Sequence, residues 1–307
     1  MFVINPDPYS LPAYRIGPFC TRDLSLNHIL PDDDLIESYF AERFGAGKYL
    51  YTYNGRQAIN IALGQFDLNP DDIVTILTTS GNYYISSCVT IEIERYCKWS
   101  REIGPATKVL FVNHEFGYPY PEMKHLRGLN LPVIEDCAGS FFSSDKEDTI
   151  GEIGDFVIYS FPKMFPIQVG GLLVARNKTG AIQVADQHPG IVRYVKNVLS
   201  KYIKEKDSII RQRIANYMTL RSMFDTLDLP ERFVLAPGNV PGVFMFKTGN
   251  YKIDLPMLKK HFWEHGIQSS VFYGEEAYFI PVHQGLTAHD LDYFYEVMKA
   301  FLKMNFQ

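Results

Sequence analysis

Cysteine is scarce: Cys20, Cys88, Cys97 and Cys137 are the only four in 307 residues, and no two form a CxxC pair. That spacing argues against a zinc site and against a disulfide framework, and the apolar surroundings of Cys88 and Cys137 read as those of buried free thiols. No stretch reaches the roughly 18 uninterrupted apolar residues of a membrane span. The opening MFVINPDPYSLPAYR has no basic segment followed by an apolar one, so a cytoplasmic location is expected. Long blocks of one charge are missing too, with 30 Lys+Arg set against 35 Asp+Glu and a net charge of -5, which leaves no nucleic-acid footprint. No G-x-G-x-x-G follows an early strand, which counts against a nicotinamide-binding domain. Internal repeats and low-complexity tracts are absent. Apolar residues, in contrast, make up 46% of the chain and aromatic ones 14%, enough to bury a sizeable core.

From Asp32 to about Ala175 the pattern alternates between helical amphipathic stretches and short β-branched runs, as expected of a mostly parallel sheet covered by helices. Residues 33–44 place Leu35, Ile36, Tyr39, Phe40 and Phe44 near helical spacing, and Asn54-Gly55 precedes a second helix that starts at Arg56. Buried strands are predicted at 72–77, 108–113 and 131–136, with MKHLRGL as a helix between the last two, and a further pair at 157–161 and 170–175. The stretch 180–206 turns polar and basic, and 209–227 reads as a long helix leading away from the sheet. The remainder is an αβ pattern on a smaller scale. These features divide the chain into a large domain, residues 1–180, and a small C-terminal α/β domain, residues 181–307.

Four elements of the large domain carry chemistry. Asp136 ends the strand LPVIED, and a carboxylate at the carboxyl end of a parallel strand faces the crevice where open α/β sheets bind ligands. Taken alone, a helix cap or a salt bridge is the better explanation. Lys163 stands among aromatic and apolar neighbours, shortly after a strand and before Gly170-Gly171. Such surroundings disfavour its charged form and free the amine to attack an aldehyde, as a Schiff-base lysine must. A lone lysine of this kind more commonly snorkels to solvent. Gly55 at a helix start offers free backbone N–H groups and the positive end of the helix dipole to a phosphate. Tyr84, in TSGNYY after a strand, has a ring that could lie against a flat heteroaromatic group or pack in the core.

The order of these elements resembles the DegT/StrS-type sugar aminotransferases, a branch of the aspartate aminotransferase superfamily. Asn54-Gly55-Arg56 is similar to the family's helix start, Val133 to Ala138 to its V-I-E-D-x-A segment, and Tyr159 to Gly171 to its F-S-F-x-x-x-K…G-G segment. His114 to Gly117 resembles an H-x-x-G, and Ile280 to Thr287 an L-P-L-H-x-x-L-T. The resemblance implies the fold type I of enzymes dependent on pyridoxal 5′-phosphate (PLP), with helices on both faces of the large sheet. It further implies Lys163 as the PLP-binding lysine, Asp136 against the pyridine nitrogen, Gly55, Arg56 and Ser160 at the phosphate, and Tyr84 stacked on the ring. The implied reaction moves an amino group, from glutamate, onto a keto group of a sugar nucleotide or similar polar substrate, in a homodimer. Two departures stand out: Gly139 replaces the Gln or His three positions after the aspartate, and 177–206 lacks the segment that reaches the neighbouring subunit's phosphate site. A PLP-dependent lyase, or a relative that binds PLP without turnover, are the alternative readings. Lys163 speaks against the family's dehydratases, which carry histidine there.

Overall fold

The computed structural model describes residues 13–176 and 188–306. The expected domain boundary near residue 180 and most of the opening segment lie outside them. Seven strands form the first sheet: β1 (Tyr49–Thr52), β2 (Ile73–Thr78), β3 (Lys98–Ser100), β4 (Thr107–Asn113), β5 (Val133–Asp136), β6 (Phe156–Ser160) and β7 (Gly171–Ala175). Their order is β1-β7-β6-β5-β4-β2-β3. The pairs β6/β5, β5/β4, β4/β2 and β2/β3 are parallel, while β7 runs antiparallel to both β6 and β1. The large α/β unit with a mostly parallel sheet is therefore the architecture read from the sequence.

The continuous apolar runs follow from burial on both faces, because side chains alternate along a strand. Val157, Tyr159, Leu172 and Val174 pack with α2 (Leu35–Phe44) and with α6 (Pro189–Ile203), through Ile36, Phe40, Val195 and Leu199. Phe156, Ile158 and Leu173 face the other way, against Ala58, Ile59, Val89 and Ile93 of α3 (Gly55–Leu63) and α4 (Ser87–Ile93). Each fully buried side chain of this size contributes about 1.5–3 kcal/mol relative to exposure. The helix α1 (Thr21–His28) precedes α2, and α5 (Met123–Leu126) covers Leu110 and Val112.

Gly170-Gly171 lets the strands close up beside the lysine segment. Gly170 has φ +106°, and a Cβ on Gly171 would lie 2.7 Å from Thr52 Oγ1 and from the Tyr159 carbonyl oxygen. Alanine at Gly171 would push β7 away from its neighbours.

After α6 the chain builds a second assembly from α7 (Lys206–Asp225), β8 (Val243–Lys247), α8 (Leu255–Glu264), β9 (Ser270–Val271), β10 (Ala277–Pro281) and α9 (Ala288–Phe306). Its antiparallel sheet has the order β8-β10-β9, and Tyr217, Leu220, Phe244, Leu258, Tyr278, Ile280, Phe294 and Met298 form its core. Among the described residues, no helix is long and apolar enough to cross a membrane.

Candidate active site

The carboxyl ends of β4, β5 and β6 open onto a cavity of about 390 Å³. Gly55, Arg56, Tyr84, Asp136, Ser160 and Lys163, the six residues singled out from the sequence, all line it. Ile16, Asn113, Phe116, Gly139, Val243, Gln268 and Phe279 complete much of its wall. Gly139 borders it directly. Motifs more than 100 residues apart thus meet at one place, because they end a strand, start a helix or, for Tyr84, lie in the loop between β2 and α4, on the same edge of the sheet.

The helix α3 begins at this cavity because Asn54 caps it. Asn54 is extended, and its side chain accepts from the Gln57 N–H at 3.0 Å, while Gln57 reaches back to the Tyr53 N–H at 2.7 Å. A helix's first-turn N–H groups have no intrahelical acceptors, so those of Gly55 and Arg56 are suited to an anion. A Cβ on Gly55 would lie 3.5 Å from the Ser160 Cβ, an ordinary contact that places the helix start beside the strand end.

Asp136 is buried and carries two hydrogen bonds, from Asn113 Nδ2 at 2.7 Å and from the Ala138 N–H at 3.0 Å. Asn113 is its partner across the β4/β5 register. Burial pushes the Asp136 carboxyl above the usual carboxylate range, against the pull of those two bonds and of the Lys163 charge. A ligand cation beside it, such as a pyridinium N–H, would reverse that balance.

Lys163 closes a 3-10 turn, Phe161–Lys163, directly after β6. Its apolar neighbours behave differently from the sequence-based expectation. Phe161, Met164 and Phe165 turn into the core, while the Lys163 side chain is exposed to the cavity. The turn has a pitch of about three residues, so Lys163 points away from the neighbours that were expected to desolvate it. Cys88 also departs from expectation: it is half-buried and lines the cavity, whereas Cys97 and Cys137 are the buried thiols.

One wall of the cavity is aromatic. The Tyr84 and Phe116 ring centroids are 6.1 Å apart, and those of Phe116 and Phe279 are 5.0 Å apart. Phe116 lies inside the His114–Gly117 motif and Phe279 immediately precedes the Ile280–Thr287 motif, but neither ring is signalled as a wall residue by the sequence. His114, Glu135 and Cys137 bring possible ligand atoms within 4.8 Å of one another, but His114 and Glu135 are committed to each other at 3.0 Å.

The donor set matches PLP chemically: helix-start N–H groups, an arginine and a hydroxyl for a phosphate, a buried carboxylate for a pyridine nitrogen, an accessible amine for an aldehyde. The sequence pattern of the DegT/DnrJ/EryC1/StrS aminotransferase family matches residues 30–294. The chain belongs to that family. GDP-perosamine synthase of Escherichia coli O157:H7 is 28% identical over 47% of this chain and 44% of its own length, so the chain spans less than half of that relative. The aminotransferase TlmJ of Streptoalloteichus hindustanus shares the fold with a TM-score of 0.73 at 16% identity, covering 92% of this chain and 95% of TlmJ. The PLP form of the sugar aminotransferase Spr1654 of Streptococcus pneumoniae gives 0.69 at 13% identity, covering 97% and 99%. The type I fold expected from the sequence is thus present.

Proposed function

We propose that this protein is a PLP-dependent aminotransferase that moves an amino group from glutamate to a keto group of a sugar nucleotide or similarly polar acceptor. The observation that carries this reading is the convergence of Lys163, Asp136, Ser160, Tyr84 and the α3 start on one cavity. Bound PLP supplies an aldehyde and an electron sink. The chain's own residues do the rest. Gly55, Arg56 and Ser160 hold the phosphate, and Asp136 keeps a proton on the pyridine nitrogen through a charge-assisted hydrogen bond. Tyr84 covers one ring face, and Phe116 and Phe279 exclude water from that side of the cavity. The Lys163 amine would serve as the base and acid that carries a proton to and from the substrate carbon. We further propose a cytoplasmic homodimer. The small unit starts at α7, because α6 packs with the large sheet.

The test is a half-reaction: PLP-loaded protein is mixed with glutamate and followed by absorbance. Conversion to the pyridoxamine form supports amino transfer. PLP that binds and stays unchanged with every amino donor tried would favour the reading without turnover.

A further inference from the structure

Arg213 is fully buried on α7, and its acceptors among the described residues are all uncharged. Nη2 donates to the Lys163 carbonyl oxygen at 2.9 Å, Nη1 to the Pro241 carbonyl oxygen at 3.2 Å, and Nε to Gln284 Oε1 at 2.8 Å. Gln284 in turn donates from Nε2 to the Met164 carbonyl oxygen at 2.9 Å. The carbonyls at the end of the Phe161–Lys163 turn are the kind that a helical turn leaves without internal donors, and a cation is favoured there. Pro241 precedes Gly242 and Val243, which line the cavity, and the Gly242 N–H donates to the Phe116 carbonyl oxygen at 2.6 Å. One planar guanidinium thus ties the lysine segment to the Pro241–Val243 segment of the cavity wall.

Burying a guanidinium is unfavourable, and desolvation pushes that of Arg213 down to about 9. Simple packing would be met by a leucine at this place. Three acceptors in one fixed plane are met by arginine alone among the side chains, since lysine offers a single nitrogen.

We propose that Arg213, assisted by Gln284, is the positioning residue of Lys163: it holds the Lys163 and Met164 carbonyls from behind, so that the amine enters the cavity at a fixed place. The inference deepens the proposed function and rests on it for the role of Lys163. The clamp itself is a property of the apo protein and can be tested separately.

The experiment compares wild type, Arg213→Lys and Gln284→Leu in two ways. Hydrogen exchange of the apo proteins reads the clamp, and the rate at which borohydride fixes PLP on Lys163, mapped by peptide mass, reads its consequence. In Arg213→Lys, exchange of the 161–167 peptide should rise about tenfold while the β2 peptide stays protected. Capture at Lys163 should slow by at least about tenfold, with unreduced PLP binding within about threefold of wild type, since small misplacements of a reacting group carry penalties of that size. A folded Arg213→Lys protein with wild-type exchange and capture overturns the proposal. So does a loosened 161–167 segment with wild-type capture, which would make Arg213 a structural tie only. If Arg213→Lys does not fold, Gln284→Leu decides, with about threefold changes in both readouts supporting the clamp and none overturning it. Failure of wild type to capture PLP at Lys163 removes the cofactor reading and the positioning role with it, and the exchange result then stands for the clamp alone.

Discussion

Glu135 and Asp136 are consecutive, both end β5, and both are buried, yet their surroundings act in opposite directions. Burial alone would raise Glu135. Its Oε2 accepts from the Gly151 N–H at 2.7 Å and from His114 Nε2 at 3.0 Å, and its Oε1 from the Ile153 N–H at 2.8 Å and from the Gly154 N–H, and together these hold it below the usual range. Because the Tyr120 N–H donates to His114 Nδ1, the His114 proton sits on Nε2 and points at Glu135. Asp136 has two donors and is raised. Side chains at consecutive strand positions leave on opposite faces. One carboxylate is therefore tied into the fold, and the other is left short of partners where a ligand can supply one. The difference lies in the number of donors, not in burial.

The most damaging way to probe this contrast is Glu135→Ala, which strips the acceptor from His114 and from three backbone N–H groups. It should destabilise the fold by about 3–5 kcal/mol in urea titrations, as expected for breaking a buried pair. A loss below about 1 kcal/mol would show that the network is not structural.

His283, two residues past β10, is another buried titratable group whose state the fold sets. Burial, followed by the charge of Arg213, pushes it down to about 3, and its Nδ1 accepts from the Gly285 N–H at 3.1 Å. The folded state thus keeps His283 neutral while the unfolded chain takes up a proton once the pH falls below about 6.5. Stability from this residue is complete above that pH and drains as pH falls toward 3, by on the order of 3 kcal/mol at pH 4. His283→Gln should flatten that part of the acid limb, and an unchanged limb would contradict the assignment.

Asp136→Asn should behave in the opposite sense from Glu135→Ala. Loss of a charge-assisted bond weakens PLP retention by about 1.5–3 kcal/mol, roughly tenfold or more in dissociation constant. The apo protein should gain about 1 kcal/mol at pH 7. The sign follows from the raised carboxyl: the folded state holds its proton more tightly, so wild-type stability falls as pH climbs from near 4 through the raised value, and the amide escapes that loss. Equal retention in mutant and wild type would make Asp136 a cap like any other. Tyr84→Leu is the mildest probe, with about 0.5–1.5 kcal/mol of retention lost with the ring contact and no change in apo stability beyond about 0.5 kcal/mol.

Most of the large sheet was legible because β2, β4, β5, β6 and β7 are short apolar runs buried on both faces. α6 was read as a polar, basic stretch: Arg193, Lys196, Lys201 and Lys204 dominate the composition and conceal Val195, Val198, Leu199 and Ile203, which face the core. MKHLRGL, expected as a helix, yields four α-helical residues and then a 3-10 turn ending at Asn130 in the left-handed region. Five of the six cavity-lining residues were legible because they sit at or beside the end of an element; Tyr84, in the loop between β2 and α4, was read from the strand before it. Arg213 was overlooked, although it interrupts the buried stripe Ile209, Tyr217, Leu220 and Phe224 on α7, and a charge on an apolar stripe is itself a signal. Phe279 immediately precedes the Ile280–Thr287 segment and Gln284 lies within it, but the L-P-L-H-x-x-L-T pattern leaves the Gln284 position open, so that resemblance points to neither side chain.

The central claim is that Lys163 is the amine this cavity presents to PLP. Protein incubated with PLP, reduced with borohydride and digested should carry the reduced cofactor on the peptide containing Lys163, and Lys163→Ala should abolish that adduct while the fold persists. Attachment at another lysine, or no attachment, would contradict the account.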